Sequence, residues 1–90
     1  MHTHDPGVPE FTRPDSAYGR AEQAAAEVQA RTGGAWVCWF GLFTRSYWGV
    51  PRRPHPWWGM AEAKTPVDLL IRIHEVDAHY GIRRGFPGMA

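Results

Sequence analysis

The stretch His74-Glu75-Val76-Asp77-Ala78-His79 gathers two imidazoles and two carboxylates within six residues. Groups of this kind bind metals or move protons when a helix puts them on one face. The zincin arrangement needs two histidines four positions apart, and position 78 is alanine. Glu75 and His79 are four apart, but no third ligand stands beside them. The plainer reading is a solvated polar helix face with a Glu75–His79 pair and a packed His74 on the apolar side.

Cys38 is the chain's one thiol. It sits mid-strand among tryptophans, where burial raises a thiol's pKa and makes it inert. A single cysteine excludes an intramolecular disulfide framework and a multi-thiolate zinc site. His2 and His4 can offer imidazoles to copper or nickel together with the N-terminal amine; the plainer reading is that free arms often carry such residues without purpose. No Ser-His-Asp order, glycine-rich phosphate loop or carboxylate dyad is visible. The sequence therefore points away from an enzyme and implies no cofactor and no metal.

The segment Arg52-Arg53-Pro54-His55-Pro56-Trp57-Trp58, with Arg45 and Arg83-Arg84, interleaves cations and aromatic rings. Such surfaces hold phosphates and stack bases. On that reading the nucleic-acid contacts are Arg45, Arg52, Arg53 and Trp57. The plainer reading is a solvated loop whose arginines lie over tryptophan rings.

These residues need elements to position them. The chain has 90 residues, enough for one domain. Its apolar fraction of 43% can form a small core, and 13% is aromatic. Net charge is +1, with a mild asymmetry. Residues 1–32 hold 3 basic and 5 acidic groups, and residues 33–90 hold 7 and 4. That balance by itself supports no nucleic-acid binding. No secretory pattern opens the chain and no apolar run approaches bilayer length, so the expectation is a cytoplasmic protein without a membrane partner.

Residues 1–14 read as a flexible arm, residues 15–81 as a single α+β domain, and residues 82–90 as a flexible tail. Asp15 or Ser16 can cap a helix to about Arg31, with Tyr18, Ala21, Ala25 and Val28 on one stripe. Thr32-Gly33-Gly34 ends it. Ala35–Phe40, Ser46–Val50 and Trp57–Glu62 read as strands, joined by short connections that favour an antiparallel meander. Thr65 caps the last helix, with Pro66 in its first position and Asp68 near its positive end. Val67, Leu70, Ile71 and His74 make its apolar stripe, broadened by Ile73, Val76 and Tyr80, and Gly81 stops it. The order is α-β-β-β-α. The expected fold is a two-layer sandwich, a three-stranded antiparallel sheet with the helices packed on one face.

Strand alternation then raises a question about the second face. Trp36, Cys38 and Phe40 point to one side, and Val37 and Trp39 to the other. Strand two divides Trp48 and Val50 from Tyr47 and Gly49. Neither side is polar, whereas a solvated antiparallel face alternates apolar and polar residues. Either an arm covers the second face through Phe11 or Phe86, or the face binds something. The leading expectation is a non-enzymatic protein-interaction module that self-associates or binds a partner protein. Its contacts would be Trp39, Trp48, Trp57 and Trp58, with Arg52 and Arg53 at the rim. The alternatives are a nucleic-acid-binding regulator using the same loop and a small-molecule pocket lined by tryptophans.

The residues Trp39-Phe40-Gly41, Thr44, Tyr47-Trp48-Gly49, Glu62-Ala63, Thr65-Pro66 and Leu69 form a pattern. It resembles small actinobacterial proteins of undescribed function with a Trp-Phe-Gly…Thr…Trp-Trp…Glu-Ala-x-Thr-Pro signature, over residues 34–73. The resemblance implies strand cores and a helix cap and carries no activity. The element order also resembles the topology of double-stranded-RNA-binding domains. That family's Gly-Pro-x-His-like loop is replaced here by Gly41–Arg45, and its lysine cluster by Lys64 alone. Tyr47, Gly49, Val50, Arg52, Arg53, Pro54 and Trp58 resemble the opening strand of the plant ethylene-response-factor DNA-binding domain. That domain needs two further strands before its helix, and this chain has room for one.

Overall fold

The computed structural model describes residues 16–83. The elements are α1 (Ala17–Arg31), β1 (Trp36–Gly41), β2 (Ser46–Pro51), β3 (Ala61–Ala63) and α2 (Pro66–His79). The strands form one antiparallel sheet in the order β1-β2-β3. The expected α-β-β-β-α order and mixed α+β class hold. The expectations for residues 1–14, for His2 and His4, and for Phe11 and Phe86 lie outside the described residues.

Local chemistry sets the helix ends. The Ser16 hydroxyl accepts from the Gly19 amide at 2.9 Å and the Thr65 hydroxyl from the Asp68 amide at 3.1 Å, so each helix has a hydroxyl N-cap. Both helices close with the paired bonds of a Schellman motif. Gly33 and Gly34 donate to the Ala30 and Gln29 carbonyls, and Gly81 and Ile82 donate to those of Ala78 and Asp77. Gly33 and Gly81 sit at φ +67 and +71, a conformation that glycine adopts without steric cost.

Register decides the faces. Cys38 lies opposite Gly49 and Phe40 opposite Tyr47; Ala61 and Ala63 continue those rows on β3. Both helices pack on this side. Trp36, Leu69 and Ile73 are fully buried there with Ala25, Val28, Cys38, Ala61 and Val76. The absence of a side chain at Gly49 matters, because a Cβ would come within 3.4–3.5 Å of Trp36, Cys38 and Ile73. The opposite side carries Val37 opposite Val50, Trp39 opposite Trp48, and Glu62 beside Trp48.

Two expectations are corrected. The third strand is Ala61–Ala63 and not Trp57–Glu62. Gly49 is paired with Ala61, so a longer β3 would run back alongside Pro51, which has no amide to donate. The Trp57 amide is committed elsewhere, to the His55 ring at 3.0 Å. The second correction concerns α2. Its inward stripe is Leu69, Ile73 and Val76, joined by Asp77, while Val67 and Ile71 are 67% and 51% exposed.

Both sheet edges are blunted. The Cys38 amide points away from β2 and donates to Gln29 Oε1 at 2.9 Å, and the Trp36 amide donates to Thr32 Oγ1 at 3.2 Å. The end of α1 thus occupies two of the donors that an added strand would use. The other edge, β3, is only three residues long. Gln29→Ala is expected to cost about 1–3 kcal/mol, the range for stranding a buried amide. Urea denaturation measures it. Increased aggregation of the variant would be the second sign of an opened edge.

Candidate functional site

Three groups of residues hold the chemistry, and the fold sets them apart. The first is a polar junction under the loop 52–60. His55 and Asp77 have side chains only 1% and 4% exposed and meet at 3.0 Å between Nε2 and Oδ1. The Trp36 indole N–H points at the same carboxylate, 3.3 Å from each oxygen. His55 Nδ1 accepts from the Trp57 amide, so the ring proton sits on Nε2 and is donated to Asp77. The pair looks like the histidine–carboxylate half of a nucleophilic triad. Yet Nδ1 serves a backbone amide and Nε2 the carboxylate, so neither nitrogen is directed at a substrate site. The junction ties β1, the loop and α2 together. Rings extend it: Trp36 packs against Trp57 with centroids 5.8 Å apart, and His55 meets Tyr80 edge-on at 5.9 Å.

This corrects the sequence reading of 74–79 as a solvated polar face. Asp77 is buried. The contact of Glu75 is with Arg72 at 3.5 Å, and His79 packs edge-on against Tyr80. A signal for the junction existed. A core tryptophan needs an acceptor for its N–H, and few carboxylates in this chain lie on a core-facing stripe.

The second group is the loop itself, which contains a cis Arg53–Pro54 peptide. The Arg53 guanidinium lies 3.5 Å over the Trp58 ring and also donates to the His55 carbonyl. Arg52 Nε donates to the Gly34 carbonyl at 2.7 Å. Trp58 is 79% exposed. Trp57 belongs elsewhere: it walls a cavity of about 330 Å³ with Arg72, Glu75, Val76, His79 and Tyr80. Gly59 must be glycine for this packing, since a Cβ would lie 2.4 Å from the Trp57 ring.

The third group is the outer sheet face. Trp39 and Trp48 are directly opposed there, as are Val37 and Val50. All four are half-buried. The Trp48 N–H donates to Thr44 Oγ1 at 3.0 Å, and the ring lies so close to Gly41 that a Cβ there would be 2.8 Å from Trp48 Nε1. A polar cluster closes this end of the face: the buried Ser46 hydroxyl bonds Glu62 and Lys64, each at 2.7 Å. Of the expected contact residues, the structure brings together Trp39 with Trp48, and Arg53 with Trp58. It places Trp57 behind the loop and Arg45 in the β1–β2 turn. Arg52 and Arg53 follow the far end of β2, six residues of extended chain away, or roughly 20 Å at 3.4 Å per residue.

Cys38 faces the core beside Gly49. Burial pushes its thiol up from 9.0 to about 11. The native thiol is therefore neutral at pH 8, and alkylation by iodoacetamide is expected only at the rate of unfolding, with full reaction in urea. Because the folded pKa is the higher one, the unfolded state loses its proton first. Stability from this group falls as pH rises from 9.0 towards 11.

Among the described residues no group of three His, Cys, Asp or Glu is placed to hold a metal ion. Among them also, no helix is long and apolar enough to cross a membrane. Set against known protein families, curated proteins and solved structures, the chain matches none.

Proposed function

We propose that the domain is a non-enzymatic protein-interaction module that receives a partner protein on its outer sheet face. The observation that carries this reading is the pair of cross-strand rows, Trp39 with Trp48 and Val37 with Val50, on the side away from both helices. Aromatic and β-branched residues in such rows form a flat apolar strip of the kind found at interface centres. The blunted edges support docking onto the face over strand addition. The fully engaged His55–Asp77 pair and the neutral Cys38 thiol support a binding role over catalysis.

The nucleic-acid reading has less support. Arg45 stands at one end of the sheet and Arg52 and Arg53 at the other. Arg52 is held by Gly34, and Arg53 by Trp58 and His55. The test is a partner screen run in parallel with wild type, Val37→Glu and Arg52→Ala. The expected result is a protein retained by wild type and Arg52→Ala and lost with Val37→Glu. A tryptophan-fluorescence titration with single- and double-stranded nucleic acid accompanies it. Quenching that disappears at high salt and on Arg52→Ala would overturn the reading.

A further inference from the structure

The β1–β2 turn departs from the usual chemistry of a hairpin tip. Such turns favour Gly, Asn, Asp and Ser, and this one carries Leu42 and Phe43. Phe43 is 101% exposed, the full value for a free side chain, and Leu42 is 48% exposed. Arg45 closes the turn at φ 53, donating its amide to the Gly41 carbonyl at 2.7 Å. A left-handed residue is cheaper as glycine or asparagine. Lys64 stands beside the turn with Nζ 3.0 Å from the Thr44 carbonyl. A bare aromatic and a strained arginine in one short turn point to function over stability. The tip is an apolar finger with two cations behind it.

A matching surface lies on α2. Its outward seam, Val67, Ile71, His74 and Ala78, repeats at the spacing of a packing stripe, and no core residue belongs to it. Leu70, Ile71, His74, Glu75 and Ala78 line a groove of about 480 Å³. A carboxylate borders it: Glu75 lines the wall. The Arg72–Glu75 contact of 3.5 Å is an exposed pair and leaves Glu75 open to a better partner. Finger and groove are both apolar at the centre, and the cations behind the finger are opposite in sign to the Glu75 carboxylate on the groove wall.

We propose that the groove on α2 receives Leu42 and Phe43 from a second copy of the chain, and that the contact is reciprocal. Two fingers and two grooves then close a two-fold dimer, the commonest symmetric assembly. Arg45 and Lys64 of each copy face Glu75 of the other. The groove opens on the side of α2 away from the sheet, so the outer sheet faces stay free. The dimer carries two partner-binding faces.

Sedimentation of the full chain over a concentration series tests this with Phe43→Asp, Ile71→Asp and their equimolar mixture. Both positions are exposed, and circular dichroism confirms that each variant is folded. Wild type is expected to dimerise. Each variant alone is expected to lose affinity at least about thirtyfold, the size of a hot-spot truncation. The mixture is expected to recover a mixed dimer, because one intact finger meets one intact groove. A monomeric wild type at every concentration overturns the proposal. So do variants that still dimerise, a mixture that stays monomeric, or wild type that binds anionic vesicles through Phe43 without dimerising. Val37→Glu separates the two readings: it is expected to leave the dimer intact, and a dimer lost with Val37→Glu but kept with Phe43→Asp would assign self-association to the sheet.

Discussion

Asp77→Ala is expected to lower the unfolding free energy by about 3–5 kcal/mol, because two buried N–H donors lose their acceptor at about 1–3 kcal/mol each. The donors are His55 Nε2 and Trp36 Nε1, both inside the core. Domains of this size hold only about 5–15 kcal/mol in total, so the variant should be marginal at room temperature. Urea denaturation gives the measurement: the midpoint falls while the slope stays constant if only stability has changed. Asp77→Asn is expected to fall between, since one amide oxygen can accept from one donor while the amide N–H₂ opposes the other. A loss under 1 kcal/mol for the alanine variant would show that water enters and replaces the carboxylate.

A second large difference separates two isoleucines two positions apart. Ile73→Ala is expected to cost about 2–5 kcal/mol, the range for a buried Ile truncated in a packed core. Ile71→Ala, measured at concentrations low enough to keep the chain monomeric, is expected to stay within about 0.5 kcal/mol, as for surface substitutions away from special features. Ile73 is fully buried and its Cδ1 would touch a Cβ at Gly49, while Ile71 is half-exposed. Thermal unfolding of the two variants side by side reads the contrast. Equal losses would mean that both seams of α2 are packed in the isolated chain.

That contrast also shows where the sequence was readable. Leu69, Ile73, Val76 and Tyr80 recur at the same spacing as Val67, Ile71, His74 and Ala78. Periodicity alone cannot choose between two such stripes. Side-chain size does not choose either, because Ile73 equals Ile71 and His74 is no smaller than Val76. Helix starts and stops were legible because single residues set them: Ser16 and Thr65 as caps, and Gly33 and Gly81 at positive φ. The division of β1 between two faces followed from alternation. The start of β3 was not legible, because it depends on Pro51 in the neighbouring strand. The His55–Asp77–Trp36 junction was hidden for a similar reason: its members lie 22 and 41 positions apart, and no local pattern links them. Among the expected contacts, Trp39 and Trp48 fell together because one register sets both. Trp57 and Trp58 were neighbours that strand alternation would put on opposite faces, and the absence of strand there sent them to different surroundings.

The same junction has a consequence for how the molecule comes apart. The loop 52–60 lacks regular structure, and a segment of that kind ordinarily opens well before the core. Here its histidine is held by a carboxylate of α2 and its backbone by the imidazole, so it cannot lift without breaking both hydrogen bonds and uncovering the core beneath. The loop, the start of β1 and the last turns of α2 therefore belong to one cooperative unit. Amide hydrogen exchange is expected to show the three protected to the same degree.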